Sequence, residues 1–279
     1  MRRIRETAER LAQQAADAAH IAALGLMVTT TAHAGSALGQ SGDSDKDTTN
    51  EQSMTTPDTS AGTPLADALT ERKQAFLKRA APETADLYDR GVEQVDELNL
   101  TASALNIGDS APAFELPNAT GDTTALTQLL EAGPVVVTFY RGGWCPYCNI
   151  QLRAYQQRLS EIQTLGASLV AISPEVPDES LSTREKNALG FHVLSDAGNA
   201  VADAFGVRYR LPDELVDAFS GRFDLEQYNG DGSWTLPLAA TYVIDREGVI
   251  RWTYLSADYR ERAEPQAIID ALSALNEDG

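Results

Sequence analysis

A buried-strand pattern that leads directly into two closely spaced cysteines constrains this chain more than any other feature. Residues 135–140 (VVVTFY) are all β-branched or aromatic, which predicts a strand buried on both faces. The run 141–143 (RGG) breaks that strand, and Cys145 and Cys148 follow it. The apolar spacing over residues 150–162 then predicts a helix. The two thiols are therefore expected at the junction between a strand and the helix that follows it.

This position favours the reactive form of a thiol. Pro146 suits the first helical turn, where its missing N–H would have had no partner. Free backbone N–H groups and the positive end of the helix dipole lie beside the sulfurs there, and both stabilise a thiolate. Arg141 is close in sequence and could add its charge, and Trp144 is predicted to shield the thiols.

Three interpretations of the C-x-x-C spacing compete. A zinc site would need two further ligands, but the chain has no other cysteine, and its histidines are His20, His33 and His192. Of these, His192 begins an apolar strand and is more simply structural than an acid or base. Two inert core thiols would not need the glycines before them and the proline between them. The strand before the motif and the helix after it favour the third interpretation, a redox couple without a metal.

Composition excludes several classes of partner. The chain has 279 residues, of which 43% are hydrophobic, enough for one sizeable core and a small extra domain. Its net charge is −19, so nucleic acid or an anionic membrane surface is not expected to bind through bulk charge. Two cysteines do not make a disulfide scaffold.

Residues 1–62 are predicted to be disordered or signal-like. Within them, residues 1–34 outline a secretory signal, but the apolar run at 21–28 is too short to span a bilayer. Two locations therefore stay open: the cytoplasm, or export if residues 1–34 act as a signal peptide. Translation could also start at Met54 rather than at Met1.

Residues 63–104 are predicted to form a helical extension, with two amphipathic helices between Pro64 and Leu98. Their apolar faces would pack against the rest of the chain or against a second subunit in a homodimer. Over residues 105–279 strands and helices alternate, which predicts an α/β layer around the central strand. The other predicted strands are 111–116, 168–173, 191–194, 241–245 and 249–255, and the predicted helices are 126–131, 177–189, 200–205, 212–219 and one that begins at Pro265.

Segment 139–155 (FYRGGWCPYCNIQLRAY) resembles the active-site segment of peroxiredoxin-like proteins in the alkyl hydroperoxide reductase/thiol-specific antioxidant (AhpC/TSA) family of the thioredoxin superfamily. Residues 107–117, 229–234 and 240–248 resemble that family's entry strand and later landmarks. The resemblance covers roughly residues 105–279. It implies a thioredoxin-like fold, in which a mixed central sheet is flanked by helices, here with an N-terminal helical extension.

The resemblance also implies an activity, that of a thiol-dependent peroxidase acting on hydrogen peroxide and organic hydroperoxides. One thiolate attacks the O–O bond and becomes a sulfenic acid, and the second cysteine condenses with it to a Cys145–Cys148 disulfide. Thioredoxin or a similar dithiol then reduces the pair. No metal, haem or flavin is required.

Two alignments assign the cysteines differently. Aligned with thioredoxins, Cys145 is the nucleophile and Cys148 the resolving thiol. Aligned with typical peroxiredoxins, whose motif is Thr-x-x-Cys, Cys148 takes the peroxide-attacking position and Cys145 replaces the threonine. The ungapped match at residues 139–140 favours the second alignment. Cys148 is therefore expected to be peroxidatic and Cys145 to be resolving.

The family pattern is incomplete at one position. Ala239 stands where peroxiredoxins place an arginine before the later strand, and where thioredoxins place a cis-proline. Arg141 is therefore expected to take the missing arginine's part. Two other functions stay open: a thiol–disulfide oxidoreductase that acts on protein disulfides, and a redox sensor whose disulfide switches binding to a partner.

Overall fold

The computed structural model describes residues 64–221 and 223–277, so the predictions made for residues 1–62 lie outside the described residues. Its helices are α1 (Leu65–Leu77), α2 (Pro82–Asp96), α3 (Leu100–Ser103), α4 (Leu126–Ala132), α5 (Pro146–Gln157), α6 (Leu159–Thr164), α7 (Pro177–Lys186), α8 (Ala200–Ala204), α9 (Asp213–Phe219), α10 (Leu225–Asn229) and α11 (Pro265–Glu277). Its strands are β1 (Glu115–Pro117), β2 (Thr123–Ala125), β3 (Val135–Phe139), β4 (Ser168–Ser173), β5 (His192–Ser195), β6 (Arg208–Arg210), β7 (Thr235–Pro237), β8 (Ala239–Ile244) and β9 (Ile250–Ser256).

Within the described ranges, five strands form the central sheet in the order β5-β4-β3-β8-β9. The middle strand, β3, pairs in parallel with β4 and antiparallel with β8. The β4–β5 pair is parallel and the β8–β9 pair is antiparallel, so the sheet is mixed. The end of β3, from which the cysteine turn starts, therefore lies at the centre of the sheet.

The side chains of β3 are all buried because they alternate between two hydrophobic cores. Val136 belongs to a core that includes Leu152 of α5 and Ile268 of α11. Val135 and Val137 belong to the core on the opposite face, which draws on α4, α8 and α9. A strand covered on both faces has no side that meets water, and this explains its uninterrupted apolar sequence. The mixed sheet flanked by helices confirms the predicted thioredoxin-like fold class.

Two local predictions need correction, and one element was not predicted. The strand predicted at 111–116 is wrong over most of its length, because only Glu115–Pro117 pairs as a strand, with β2. Upstream, the Ala111 N–H donates to the carbonyl of Gly248 at 2.8 Å in a loop contact. The helix predicted at 177–189 ends three residues early, at Lys186. No sequence pattern predicts the antiparallel ribbon that β6 and β7 form.

The predicted helical extension is present as α1 and α2, which pack against α5 and α9 respectively. Glu264, just before α11, accepts hydrogen bonds from Leu65 N at 3.1 Å and Ala66 N at 2.6 Å. This carboxylate therefore caps the first turn of α1. Asp89 of α2 pairs with Arg260 at 2.5 Å. The extension is thus bonded to the segment that follows β9, although the predicted domain boundary stays a prediction.

Candidate active site

The turn after β3 brings both cysteines to the N-terminus of α5. Cys145 precedes the helix, Pro146 is its first residue and Cys148 lies in its first turn. Gly142, within the turn, has a φ of 144°, and a Cβ added there would lie 2.3 Å from Nε1 of Trp144. The path of the chain into the helix therefore requires glycine at this position.

The Cys148 sulfur accepts hydrogen bonds from two nitrogen donors. The backbone N–H of Arg141 donates to it at 3.4 Å, and Nη2 of Arg262 donates to it at 3.3 Å. Burial of the 0% exposed side chain raises the pKa of the Cys148 thiol. The hydrogen bond with Cys145 and the two donors named above outweigh burial, so this pKa lies well below its ordinary value. Cys148 is therefore the sulfur that carries the negative charge.

Cys145 has the opposite character, although its side chain is only 1% exposed. Burial, the hydrogen bond to Cys148 and the negative charge on that sulfur raise the pKa of the Cys145 thiol well above its ordinary value. At a pH between the two pKa values, the pair therefore holds one proton, on Cys145, and one thiolate, on Cys148. This division agrees with the alignment that makes Cys148 the attacking sulfur.

The guanidinium that contacts the thiolate belongs to Arg262, which no sequence pattern singles out. It follows β9 and lies 114 positions from Cys148 along the chain. Its Nη1 donates to the carbonyl of Glu261 at 2.9 Å, and the Tyr155 hydroxyl donates to the carbonyl of Ala263 at 3.0 Å. These bonds hold in place the segment that carries Arg262. Because the Arg262 guanidinium donates to the Cys148 sulfur, it supplies the cation that Ala239 cannot supply.

Arg141 contributes to the sulfur through its main chain and its charge. Its guanidinium carbon lies 4.9 Å from the ring centre of Trp144 and 4.3 Å from that of Tyr259. The expectation that Arg141 replaces the missing arginine therefore needs correction in one respect, because the guanidinium hydrogen bond comes from Arg262.

A buried carboxyl lies beneath the turn, and the sequence does not single it out either. Glu175, just after β4, accepts a hydrogen bond from Gly143 N at 2.8 Å. The Thr183 hydroxyl also faces it, at 3.4 Å. Burial, followed by nearby negative charge, raises the pKa of Glu175 to about 7. The turn is thus supported by a group that titrates near neutrality.

Asn149 of α5 holds the same turn from the helix side. Its Nδ2 donates to the carbonyl of Gly143 at 2.6 Å and to that of Cys145 at 3.0 Å. Nδ2 of Asn187 in turn donates to Oδ1 of Asn149 at 2.7 Å. Together with the carboxyl beneath the turn, these amides fix both the N–H and the carbonyl of Gly143, and so the position of the cysteines.

A cavity of about 360 Å³ opens onto the site and is called the Cys145 cavity here, because Cys145 lines it and Cys148 does not. Its wall contains Trp144, whose ring centre lies 4.8 Å from that of Phe223. Helices α1, α2 and α9, together with Phe223, contribute the other side. His192, at the exposed first position of β5, does not line this cavity.

The described residues contain neither a metal-binding cluster nor a membrane-spanning helix. In residues 64–221 and 223–277, no group of three or more His, Cys, Asp or Glu side chains could hold a metal ion. No helix in that part of the chain is long and apolar enough to cross a membrane.

A dithiol at a helix N-terminus, at the centre of a mixed sheet flanked by helices, defines a thiol protein of thioredoxin-like architecture. The family model for AhpC/TSA proteins matches residues 107–253, which include the cysteine turn and most of the central sheet. The chain belongs to the AhpC/TSA family.

Relatives of known name share this part of the chain. It is 30% identical over 156 residues to the chloroplastic peroxiredoxin Q of Populus jackii, covering 56% of this chain and 63% of that protein. It is 33% identical over 103 residues to peroxiredoxin Bcp of Escherichia coli strain K12, covering 37% and 65%. The chain thus spans less than two thirds of the length of these relatives. The crystal structure of peroxidoxin BcpB from Mycobacterium tuberculosis matches with a TM-score of 0.49 and 26% identity, over 61% of this chain and 98% of that one.

Proposed function

We propose that this protein is a thiol-dependent peroxidase that reduces hydrogen peroxide and organic hydroperoxides through Cys148 and Cys145. The observation that carries the proposal is the buried Cys148 sulfur, which has a lowered pKa and accepts hydrogen bonds from Arg262 and Arg141. The family membership and the names of the relatives, peroxiredoxin Q and peroxiredoxin Bcp, support it.

The proposed reaction begins at Cys148. Its thiolate attacks the terminal oxygen of the hydroperoxide, so that an S–O bond forms and the O–O bond breaks. The departing alkoxide or hydroxide takes up a proton and leaves as an alcohol or water. Arg262 lies within hydrogen-bond distance of the attacking sulfur, where it stabilises the thiolate and then the charge that develops on the oxygens. The product is a sulfenic acid on Cys148.

Cys145 acts as the resolving thiol in this proposal. Its sulfur attacks that of Cys148, an S–S bond forms, and the sulfenic oxygen leaves as water with the proton of the Cys145 thiol. The raised pKa of Cys145 keeps it protonated until that step, so that one thiolate meets the peroxide. A thioredoxin-like dithiol or another thiol then returns two electrons to the disulfide.

The test is peroxide consumption by the full chain with dithiothreitol as reductant, so that the result does not depend on the natural partner. Hydrogen peroxide and cumene hydroperoxide are both supplied. We expect turnover in the wild type and none in Cys148→Ser. Cys145→Ser, mixed with peroxide in the absence of reductant, should react once and form a sulfenic acid that dimedone labels. The reverse pattern of the two variants would exchange the roles of the cysteines, and no turnover by the wild type would reject the peroxidase.

A thiol–disulfide oxidoreductase is the second candidate, because Cys145, the nucleophile in that mechanism, is the sulfur that lines the cavity. Against it, the thiolate of the reduced pair lies on Cys148. Reduction of insulin disulfides by the wild type, lost in Cys145→Ser and combined with absent peroxide turnover, would establish it. The redox-sensor hypothesis has no specific contact in its favour.

We also propose a cytoplasmic location, because a couple that must be re-reduced in every cycle needs a reducing compartment. The alternative of export depends on residues 1–34, which lie outside the described residues. N-terminal sequencing of the native protein distinguishes the two. The homodimer stays a prediction that sedimentation measures.

A further inference from the structure

Arg141 carries a buried positive charge that no described carboxylate neutralises. Its side chain is enclosed between Trp144 and Tyr259, is 4% exposed, and makes no ion pair with a described residue. Its Nε has no hydrogen-bond partner in the described part of the chain. In the reduced pair the Cys148 thiolate attracts this charge, but that negative charge is lost when the Cys145–Cys148 disulfide forms. Burying a charge without an anion is costly, so the site favours a ligand that brings one.

The Cys145 cavity is positively charged in an otherwise acidic protein. The chain as a whole has a net charge of −19. Even so, Arg72 and Arg141 both line the cavity, and no described aspartate or glutamate does. Most of the remaining wall is aromatic or aliphatic, including Phe76 and Phe219. Two cations in an apolar cavity of this volume suit a small organic anion.

The Cys145 sulfur is the reactive atom that a ligand in this cavity would contact. Both cysteines are at most 1% exposed, so a protein thiol reaches neither sulfur unless the cavity walls move aside. A small molecule fits the space of about 360 Å³. Arg141 and Cys145 line the same cavity four positions apart in one turn. When Arg141 binds the carboxylate of a ligand whose thiol is only a few bonds from that carboxylate, the thiol therefore lies beside the Cys145 sulfur.

The geometry points to the Cys145 cavity as the binding site of a low-molecular-weight thiol that carries a carboxylate and reduces the Cys145–Cys148 disulfide. This inference rests on the proposed function, which generates that disulfide in every cycle. It identifies the chemical class of the reductant through Arg141, whose guanidinium orients the thiol by binding its carboxylate.

The reduction balances with two molecules of this thiol. The thiolate of the first attacks the Cys145 sulfur, the Cys145–Cys148 bond breaks, and Cys148 leaves as a thiolate. Cys148 is the better leaving group because its pKa is the lower of the two. The thiolate of a second molecule attacks the ligand sulfur of the mixed disulfide. The ligand disulfide leaves, and the Cys145 sulfur takes up a proton.

Three probe thiols of similar size test the site: 3-mercaptopropionate, 2-mercaptoethanol and cysteamine, which carry a carboxylate, a hydroxyl and an ammonium group. The full chain is oxidised with one equivalent of diamide, so that peroxide chemistry is not needed. Stopped-flow tryptophan fluorescence then gives the rate constant of reduction, corrected for the thiolate fraction of each probe. Bulk charge alone would rank cysteamine first and 3-mercaptopropionate last, because an acidic protein repels anions.

The proposed site predicts the reverse order in the wild type. We expect 3-mercaptopropionate to react about tenfold faster than 2-mercaptoethanol, the effect of one charge-assisted hydrogen bond. Arg141→Gln should bring the ratio of the two rate constants to about one or below. Arg141→Lys, which keeps the charge, should retain part of the preference. Arg246→Gln is the matched control, since Arg246 is exposed, donates to the carbonyl of Ala132 and lies outside the cavity.

Two results would overturn the inference: the bulk-charge order in the wild type, or an equal loss of preference in Arg246→Gln and Arg141→Gln. Peroxide turnover with dithiothreitol but no carboxylate preference rejects this site and leaves the peroxidase intact. A carboxylate preference without peroxide turnover supports the site and rejects the peroxidase. The two proposals therefore fail separately.

Discussion

Replacing Arg262 by glutamine removes the guanidinium that donates to the Cys148 sulfur at 3.3 Å and leaves a neutral polar side chain in its place. A hydrogen bond that involves a charged group contributes about 1.5–3 kcal/mol. Because one pKa unit corresponds to about 1.4 kcal/mol, the pKa of Cys148 should rise by about one to two. The N–H of Arg141 still donates to the sulfur, so part of the lowering should remain.

The assay is a pH titration of the thiolate by ultraviolet absorbance in a Cys145→Ser background, where Cys148 is the only thiol. Stopped-flow reaction with hydrogen peroxide is measured in parallel. We expect the rate constant at neutral pH to fall by about a hundredfold, because the variant also loses stabilisation of the charge that develops on the peroxide oxygens. Raising the pH should restore only the part of this loss that comes from the thiolate fraction.

Arg260→Gln is the matched control for Arg262→Gln. It removes the same charge from the same segment, but Arg260 pairs with Asp89 and Asp258 rather than with a cysteine. An unchanged pKa of Cys148 in Arg262→Gln would refute the reasoning. So would an equal rise of this pKa in Arg260→Gln, since the effect would then come from loss of the segment's structure and not from the contact with sulfur.

Three further changes test the surroundings of the site. Burial raises the pKa of Glu175 from its ordinary value of 4.5 to about 7. Between these two pH values the folded protein holds a proton that the unfolded chain releases, so the free energy of unfolding should fall by about 3 kcal/mol as pH rises through that window. Glu175→Gln should flatten this dependence in urea titrations, and a wild-type stability that does not change over the window would contradict it. Glu264→Ala removes the cap of α1 and should lower the free energy of unfolding by about 1 kcal/mol, with faster hydrogen exchange in the first turn of α1 than in α5 as the local readout. Tyr155→Phe frees the segment that holds Arg262, so the pKa of Cys148 should rise, but by less than in Arg262→Gln; a larger rise would show that Tyr155 acts in another way.

The cysteine turn illustrates how far local sequence information extends. Three features are close neighbours in the chain: an uninterrupted β-branched and aromatic run, a glycine pair, and a proline two positions before Cys148. Each restricts backbone geometry on its own, so the strand, the turn and the start of the helix are predictable without knowledge of the rest. The misplaced strand at 111–116 shows the limit, because whether an extended segment pairs depends on which neighbour the fold supplies.

The sequence by itself therefore determined the α/β class, the burial of the central strand and the placement of Cys145 and Cys148 at the N-terminus of a helix. Only the tertiary structure decided which sulfur holds the charge, because that depends on Arg262, which follows the last strand in the chain and contacts Cys148 through the fold. It also decided that the Arg141 guanidinium packs against Trp144 and Tyr259, whereas the guanidinium that donates to the sulfur is that of Arg262. The physical reason is that backbone conformation is set largely by neighbours in sequence, whereas the electrostatics of a buried site depend on side chains within a few ångströms in space, wherever in the chain they originate.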